Sequence, residues 1–550
     1  MTITSSSASA LALILALHAS APSAQEPAPL PQLFVPLETG PAVSDPDASV
    51  TVRERTVGAR VELLADGAQR PGSRRIELNL FPDLALAFVL ERAEPAWGGG
   101  WIASGRIEED RWGSAIFSVI DGVVAGTVRA HGELYRVRYA GGGVHVVAQL
   151  DEERFPVCGN GPEQELAPAS AAGTGAAPAQ EAARSAGGAQ PLSMGGATVD
   201  VLVVYTTKAK NAQGGTASMQ ALVNLAIAET NQAYSQSQVG QRLRLVHQAE
   251  LAGYTENGSF TTELNRLTNP GDGWIDDVHL WRDQYGADEV SMIIDSTQYC
   301  GIAWLMNPVS SSFAANAFNV VSRTCTTGYY SFGHELGHNM ACHHDHGNAG
   351  SAAYPYAYGY RTPSGKWRTI LAYAPGTRIP YFSNPNVSYQ GEALGIPEPL
   401  PLPSENWKTL NNSAPVVSQW RCAIPEPYGA GKPTSSGSQP SLGWTGSPKL
   451  SGGPFTVDIA SAEPGKPALV FYGFMAGQTP FLGGTLYVSG TVVRLAVQTL
   501  DGSGAAQFPF PLAGFVAGDE LYAQGWFRDP AHPDGTGAGL TNGLRIDVCP

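Results

Sequence analysis

The sequence predicts a multidomain chain in which an α/β layer domain is flanked on both sides by β-rich regions. Three observations predict it. The chain has 550 residues, more than one ordinary core accommodates. Two stretches rich in Pro, Gly, Ala and Ser, at 159–195 and 425–443, divide it. Between them strand-like and helix-like runs alternate, whereas outside them apolar residues recur at every second position.

In chain order, residues 1–24 hold an apolar run from Ala10 to Leu17 followed by small residues, as in a secretory signal peptide. That run is too short to span a bilayer and no other is long enough, so no membrane span and a secreted, extracellular location are expected. Residues 25–158 carry RRIELNLF, SAIFSVIDG and ELYRVRYA, short alternating runs broken by Gly and Asp that read as antiparallel strands. Residues 159–195 read as a flexible, protease-accessible linker, in which Arg184 offers a processing point. Within 196–424, ATVDVLVVYTT reads as a buried strand, TASMQALVNLAIAETNQAYSQS as a helix and RLRLVHQAEL as a second strand. Helical stretches follow near 261–285, EVSMIID is a third strand, and Tyr329 to Ala341 the next helix. After a second linker at 425–443, residues 444–550 return to short strands such as FTVDIA and ALVFYGF, with β-sandwich patterning.

Composition narrows the function. Charged residues are only 15%, with 64 Gly and 41 Pro, a turn-rich and extracellular mix rather than a disordered one. A net charge of −15 excludes nucleic acid as a partner, because phosphate binding needs clustered Lys and Arg. The six cysteines, Cys158, Cys300, Cys325, Cys342, Cys422 and Cys549, form a sparse, even set that suggests disulfides.

The chemistry concentrates in HELGHNMACHHD, residues 334–345. His334 and His338 stand at i and i+4, on one face of a helix, where both imidazoles reach one ion. Glu335 projects beside them, suited to act on a bound water rather than to ligate. Catalytic zinc needs three protein ligands and one open position. The third must come from beyond the helix. His344 lies six residues past His338, and His343 and His346 compete with it.

With a histidine at that spacing the motif resembles the metzincin zinc metalloproteases, and Asp345 after it resembles their adamalysin/reprolysin branch, of the bacterial secreted type. The similarity runs over residues 196–424 and includes YCGIAWL, TILAY and YFSNPNVSYQGEALGIP. It implies an α/β metzincin-like catalytic domain with a β-rich propeptide before it, to which strand patterning adds a β-sandwich domain after it. His334, His338 and His344 match the ligands of one catalytic Zn2+, and Glu335 matches the general base. Gly301, Ile302, Ala303, Trp304 and Leu305 resemble the edge strand that lays out an extended substrate. Tyr373 matches a tyrosine that, in some metzincins, hydrogen-bonds the tetrahedral intermediate, and Asp345 is expected to anchor the turn.

Two positions depart from the family pattern. The family glycine is Ala341, whose left-handed conformation would cost about 1–2 kcal/mol. The family methionine is Leu371, a swap of similar volume that costs under about 1.5 kcal/mol. Cys158, in RFPVCGN at the end of the propeptide, is placed to act as a cysteine switch on the metal, with a structural disulfide as the alternative. Cys300 with Cys325 and Cys342 with Cys422 are the pairings expected elsewhere.

The resemblance therefore implies a secreted zinc-dependent endopeptidase, made as a zymogen, that hydrolyses a protein or peptide substrate with a metal-activated water. The alternative is a catalytically silent adhesion or binding module. Calcium binding and oligomeric state are left open by the sequence.

Overall fold

The computed structural model describes residues 29–37, 47–65, 74–160 and 197–549. The expected signal peptide and the linker from 161 onward, Arg184 included, lie outside the described residues. The described chain is multidomain and mostly β.

The N-terminal region is one nine-stranded antiparallel sheet. Its strands are β1 (Phe34–Val35), β2 (Thr51–Ala59), β3 (Arg74–Phe81), β4 (Leu84–Pro95), β5 (Trp101–Ile107), β6 (Asp110–Ile120), β7 (Val123–Ala130), β8 (Glu133–Gly141) and β9 (Val144–Leu150), with a short helix α1 (Glu62–Ala65) after β2. A parallel bridge between Gln32 and Glu77 brings the β3 edge back to the chain entering β1, so the sheet curls around an apolar interior that includes Phe34, Phe88 and Phe117. Curling removes the open edges that would otherwise invite unwanted strand pairing.

Period-two patterning accounts for that interior but not for β7, which is buried along its whole length. Its inward residues Val124 and Val128 join the interior, while Ala125 packs with Ile116 and Ile120 on Ala221 and Leu225 of the long helix of the next domain. Charge reinforces this second face. Asp47 is buried between Arg136 and Arg323, and Arg129 pairs with Glu152 at 2.6 Å.

The central domain is a five-stranded sheet built from β10 (Thr198–Thr206), β11 (Arg242–Leu251), β12 (Glu289–Ile294), β13 (Gly301–Ala303) and β14 (Phe318–Ser322). The spatial order is β11-β10-β12-β14-β13; the first four run parallel and β13 is antiparallel at the edge. Helices α2 (Thr207–Gln213), α3 (Thr216–Gln236), α4 (Phe260–Thr268), α5 (Asp277–Gln284), α6 (Ser331–Asn339) and α7 (Asn406–Val417) cover it. The parallel strands read as continuous apolar runs because both faces are covered. Thr206 caps α2 through its hydroxyl to Ala209 N, and Gly214, at φ 102°, ends it in the left-handed conformation.

Beyond the central domain lie three further sheets, of six, three and two strands, between Glu426 and Asp547. Leu442, Val457 and Phe508 of the three-stranded sheet pack against Val470, Leu521 and Ile546 of the six-stranded one. The stretch 425–443, read from composition as a linker, is part of this structure. Glu426–Tyr428 pairs with the strand 538–547, and the ammonium of Lys432 is buried on Asp534, Leu482 O and Ala538 O.

The disulfides correct one expectation and support another. Cys300 joins Cys325. Cys342 does not pair with Cys422, which joins Cys549. The reason is positional: Cys342 is fully buried in the turn that ends α6, its Sγ 3.7 Å from Asn406 O, whereas Cys422 lies past α7 beside the C-terminal sheets. The edge strand is also shorter than expected. Trp304 and Leu305 lie beyond it, where the chain turns under α6 and Met306 N bonds His338 O at 3.1 Å.

Glu229 on α3 is buried at the seam between the two domains, with Oε2 accepting from Gly328 N at 2.8 Å. Burial pushes its carboxyl from 4.5 to about 7. A raised folded-state value means that its contribution to stability is whole below the unfolded value and is lost as pH rises through 7. Glu229→Gln is therefore expected to stabilise the protein at pH 8 by on the order of 1–3 kcal/mol and to change little near pH 4.5. Denaturant melts at the two pH values check this; an equal offset at both would contradict it.

Candidate active site

The site begins with the end of α6. Met340 closes the helix, and Ala341 takes a left-handed φ of 73°. Ala341 N bonds His338 O at 3.0 Å and Cys342 N bonds Gly337 O at 2.8 Å, a Schellman closure that normally uses glycine. The turn sends the chain back alongside the helix as a short strand, β15 (His343–Asp345), so that His344 faces His334 and His338.

The three imidazoles meet through Nε2, at 3.2 Å for His334–His338, 3.2 Å for His334–His344 and 3.0 Å for His338–His344. His334 Nδ1 donates to Ile370 O at 2.7 Å and His338 Nδ1 to Cys342 O at 2.8 Å. A carbonyl can only accept, so each of these rings carries its proton on Nδ1 and turns an Nε2 lone pair inward. Burial, and then the neighbouring rings, hold His334 and His344 well below the usual imidazole range, and burial lowers His338 to about 3. Neutral rings with converging lone pairs repel one another unless a cation lies between them. The donor set fits a divalent metal, with the carbonyls of Ile370 and Cys342 orienting two of the rings.

His343 and His346 stand apart. His343 Nδ1 accepts from His344 N, and His346 stacks on Tyr358 with its Nε2 3.0 Å from Pro403 O. Asp345 anchors the turn: it accepts from Arg361 at 2.8 Å, from Asn348 Nδ2 at 3.0 Å and from Tyr373 N at 3.0 Å. Leu371 is fully buried beneath the helix, where a Cβ on Gly337 would lie 3.3 Å from its Cδ2.

Glu335 is wholly buried beside the imidazoles, and burial raises its carboxyl to about 8. It presses against the edge strand so closely that any Cβ on Gly301 would collide with its carboxylate. This contact accounts for the glycine at the start of β13.

Cys158 completes the cluster. Its Sγ lies 3.7 Å from Glu335 Oε2 and 3.9 Å from His338 Nε2, and the four ligand atoms of Cys158, His334, His338 and His344 all fall within 4.8 Å of one another. The flanking residues line the open side of β13. Cys300 N bonds Val157 O at 2.9 Å, and Gly159 N bonds Gly301 O at 2.7 Å. Asn160 exchanges two side-chain bonds with Ala303, at 2.7 and 3.1 Å. The order of these contacts makes the segment run in the same direction as the strand. Tyr373 OH donates to Cys158 O at 3.0 Å, and its ring lies 4.3 Å from that of His344.

Several residues of the site were not singled out by sequence reasoning. Asn339 ties α6 to the sheet through Trp304 O at 2.9 Å and through Asn319 at 3.0 Å, which in turn accepts from Ser291. Asn160 carried no motif beyond its place after Cys158. Arg368 and Arg378 sit in the irregular stretch, where charge ordinarily signals solvent exposure, yet both are buried near the cluster.

A model of metallopeptidase family M12 matches residues 195–383. The peptidyl-Asp metalloendopeptidase of Xanthomonas campestris pv. campestris is 35% identical over 409 residues, covering 70% of this chain and 93% of that protein. The enzyme of the same name from Stenotrophomonas maltophilia is 35% identical over 427 residues, covering 74% and 97%. Among solved structures, metalloproteinase-II from Bacteroides fragilis aligns with a TM-score of 0.29 at 12% identity, covering 54% of this chain and 83% of that one.

Metal analysis of the purified chain is expected to find one divalent ion, removable by chelation. His344→Ala should weaken binding on the order of 100-fold or more, whereas His343→Ala should not. Equal losses in the two variants would shift the third ligand away from His344.

Proposed function

The chain belongs to the reprolysin-like metallopeptidases of family M12, and on that premise we propose that this metalloendopeptidase uses zinc, is exported, and is made as a zymogen held inactive by its own N-terminal region. The observation that carries the zinc reading is the convergence of three Nε2 atoms, two of them with lone pairs held inward, beside a buried carboxyl group. The names of the relatives support a further step, that this chain cleaves peptide bonds next to aspartate.

His334, His338 and His344 would hold the metal. When bound, zinc supplies Lewis acidity toward the scissile carbonyl and makes water nucleophilic near neutral pH. The carbonyls of Ile370 and Cys342 keep two of the rings in the tautomer that ligation requires. The charge of a bound cation would favour the ionised form of Glu335 against the burial that raises its carboxyl, and that carboxylate would take a proton from the attacking water and return it to the leaving amine nitrogen. The backbone of Gly301 and Ala303 holds the peptide extended, with little demand on side chains. The Tyr373 hydroxyl, now bonded to Cys158 O, donates to the developing oxyanion once that carbonyl has left.

Residues 25–158 are read as the propeptide. Cys158 stands among the three histidines and Glu335, and residues 157–160 fill the backbone positions that a substrate would use. Activation then requires a cut in the segment after residue 160 and withdrawal of this strand. The C-terminal sheets are read as a β-sandwich module. An intact, buried Glu335 opposes the silent-module reading, since a binding module has no use for a carboxylate that expensive to bury.

Glu335→Ala in the full chain is expected to lower turnover of an unfolded protein substrate by about 10²–10⁴ while leaving metal content intact. Cys158→Ala should raise the activity of the uncut chain severalfold. Cleavage assays with and without chelator check both; an uncut Cys158→Ala chain as inactive as the parent would remove the switch.

A further inference from the structure

Two guanidinium groups lie buried beside the reaction centre, and among the described residues the one carboxylate that reaches them, Glu152, bonds the backbone of Arg378 and not its guanidinium. Arg368 and Arg378 are 3% and 4% exposed, and among the described residues neither forms an ion pair with an acid. They flank Tyr329, with guanidinium carbons 5.5 and 4.2 Å from its ring centre. Arg368 is spent on structure: it donates to Gly376 O and Ala372 O at 2.7 Å and to Tyr329 OH at 2.8 Å, bracing the loop that follows Tyr373. Arg378 is not. It donates from Nη1 to Tyr329 O at 3.0 Å, and its buried Nε–H has no partner. Burial, and then Arg368, lower it to about 10, which leaves it cationic at neutral pH. Like charges buried together are costly unless something of opposite charge visits them.

Both arginines border a cavity of about 810 Å³ that also reaches Cys158 and Tyr373. It therefore opens where the scissile bond would lie. The N-terminal region forms the facing wall. Phe155 stacks on Tyr329 at 4.4 Å, and Glu152 accepts from Arg378 N at 3.2 Å while pairing with Arg129. An acidic side chain thus already approaches this wall, and it leaves with the N-terminal region.

We propose that this cavity receives an acidic side chain of the substrate residue flanking the scissile bond, and that the free Nε–H edge of Arg378 is what reads its carboxylate. The inference rests on the endopeptidase reading and names the residue behind its selectivity. A planar guanidinium edge takes a carboxylate through two parallel bonds, and a neutral amide of the same shape offers only one suitable acceptor and no charge. A site built around a buried charge rejects the partner that leaves that charge unanswered.

The test uses the full, zinc-loaded chain cut once in the segment after residue 160, so that the N-terminal region and its strand can leave, and fluorescent peptide pairs that differ only as Asp or Asn beside the scissile bond. Two quantities are read: the Asp:Asn ratio of kcat/KM, and the Asp:Asn ratio of Kd by anisotropy after adding Glu335→Ala. Arg378→Gln is expected to cut both ratios on the order of tenfold or more, with Arg378→Lys intermediate because the charge stays and the fork goes. Thermal melts identify any variant that is unfolded, and Arg378→Lys then carries the comparison. Ratios unchanged in a folded variant, or a parent protein with no preference for Asp, would overturn the assignment. A parent that binds Asp peptides selectively through Arg378 but cleaves none would sink the peptidase reading while leaving the pocket standing.

Discussion

Three imidazole Nε2 atoms, made to face one another within about a water's diameter, set the terms for the rest of the central domain. For His334 and His338, both protonated on Nδ1, facing lone pairs repel, so other parts of the fold must impose the arrangement. The left-handed turn at Ala341 returns the chain at the required height, the carbonyls of Ile370 and Cys342 fix two tautomers, and Asp345 ties the turn to Arg361 and Tyr373. Leu371 fills the space beneath. The strain of an L-residue at φ 73° is of the order of 1–2 kcal/mol, small beside what a bound metal returns to such a site.

The N-terminal region is fitted to this domain rather than strung in front of it. It offers an apolar strip from β6 and β7, a buried Asp47 between two arginines, and a final strand-like segment that pairs along the open side of β13. Electrostatic pairs of this depth are poor sources of net stability but strong sources of register, because a displaced partner leaves a charge buried and unanswered. Register is what the arrangement needs. The thiol of Cys158 meets the histidines only if the whole sheet is seated.

Much of this was legible in the sequence. The i, i+4 histidines and the carboxylate beside them follow from helix geometry, ligand count calls for a third ligand, the metzincin resemblance points to His344, and β11 and α3 fall where apolar periodicity places them. What escaped was of two kinds. Cys342 looked like half of a disulfide because thiol positions in space are invisible to spacing; the structure buries it in a turn and gives Cys422 to Cys549 instead. The stretch 425–443 has a linker's composition, yet Lys432 there is buried by contacts from strands a hundred residues away. Arg378 failed for the same reason: composition assigns charge to the surface, and only tertiary packing reveals a buried cation.

The two ends of the central domain answer a proteolytic cut differently. The Cys422–Cys549 bond closes the C-terminal sheets into a covalent ring with the end of the central domain. A single cut anywhere inside that ring opens it without releasing either piece. No disulfide crosses the junction after Asn160, because Cys158, the one cysteine on its N-terminal side, is a free thiol. A cut there leaves the N-terminal region held by packing and charge alone, free to dissociate at a rate those contacts set. A single cut is thus irrevocable after Asn160 and without mechanical consequence inside the Cys422–Cys549 ring.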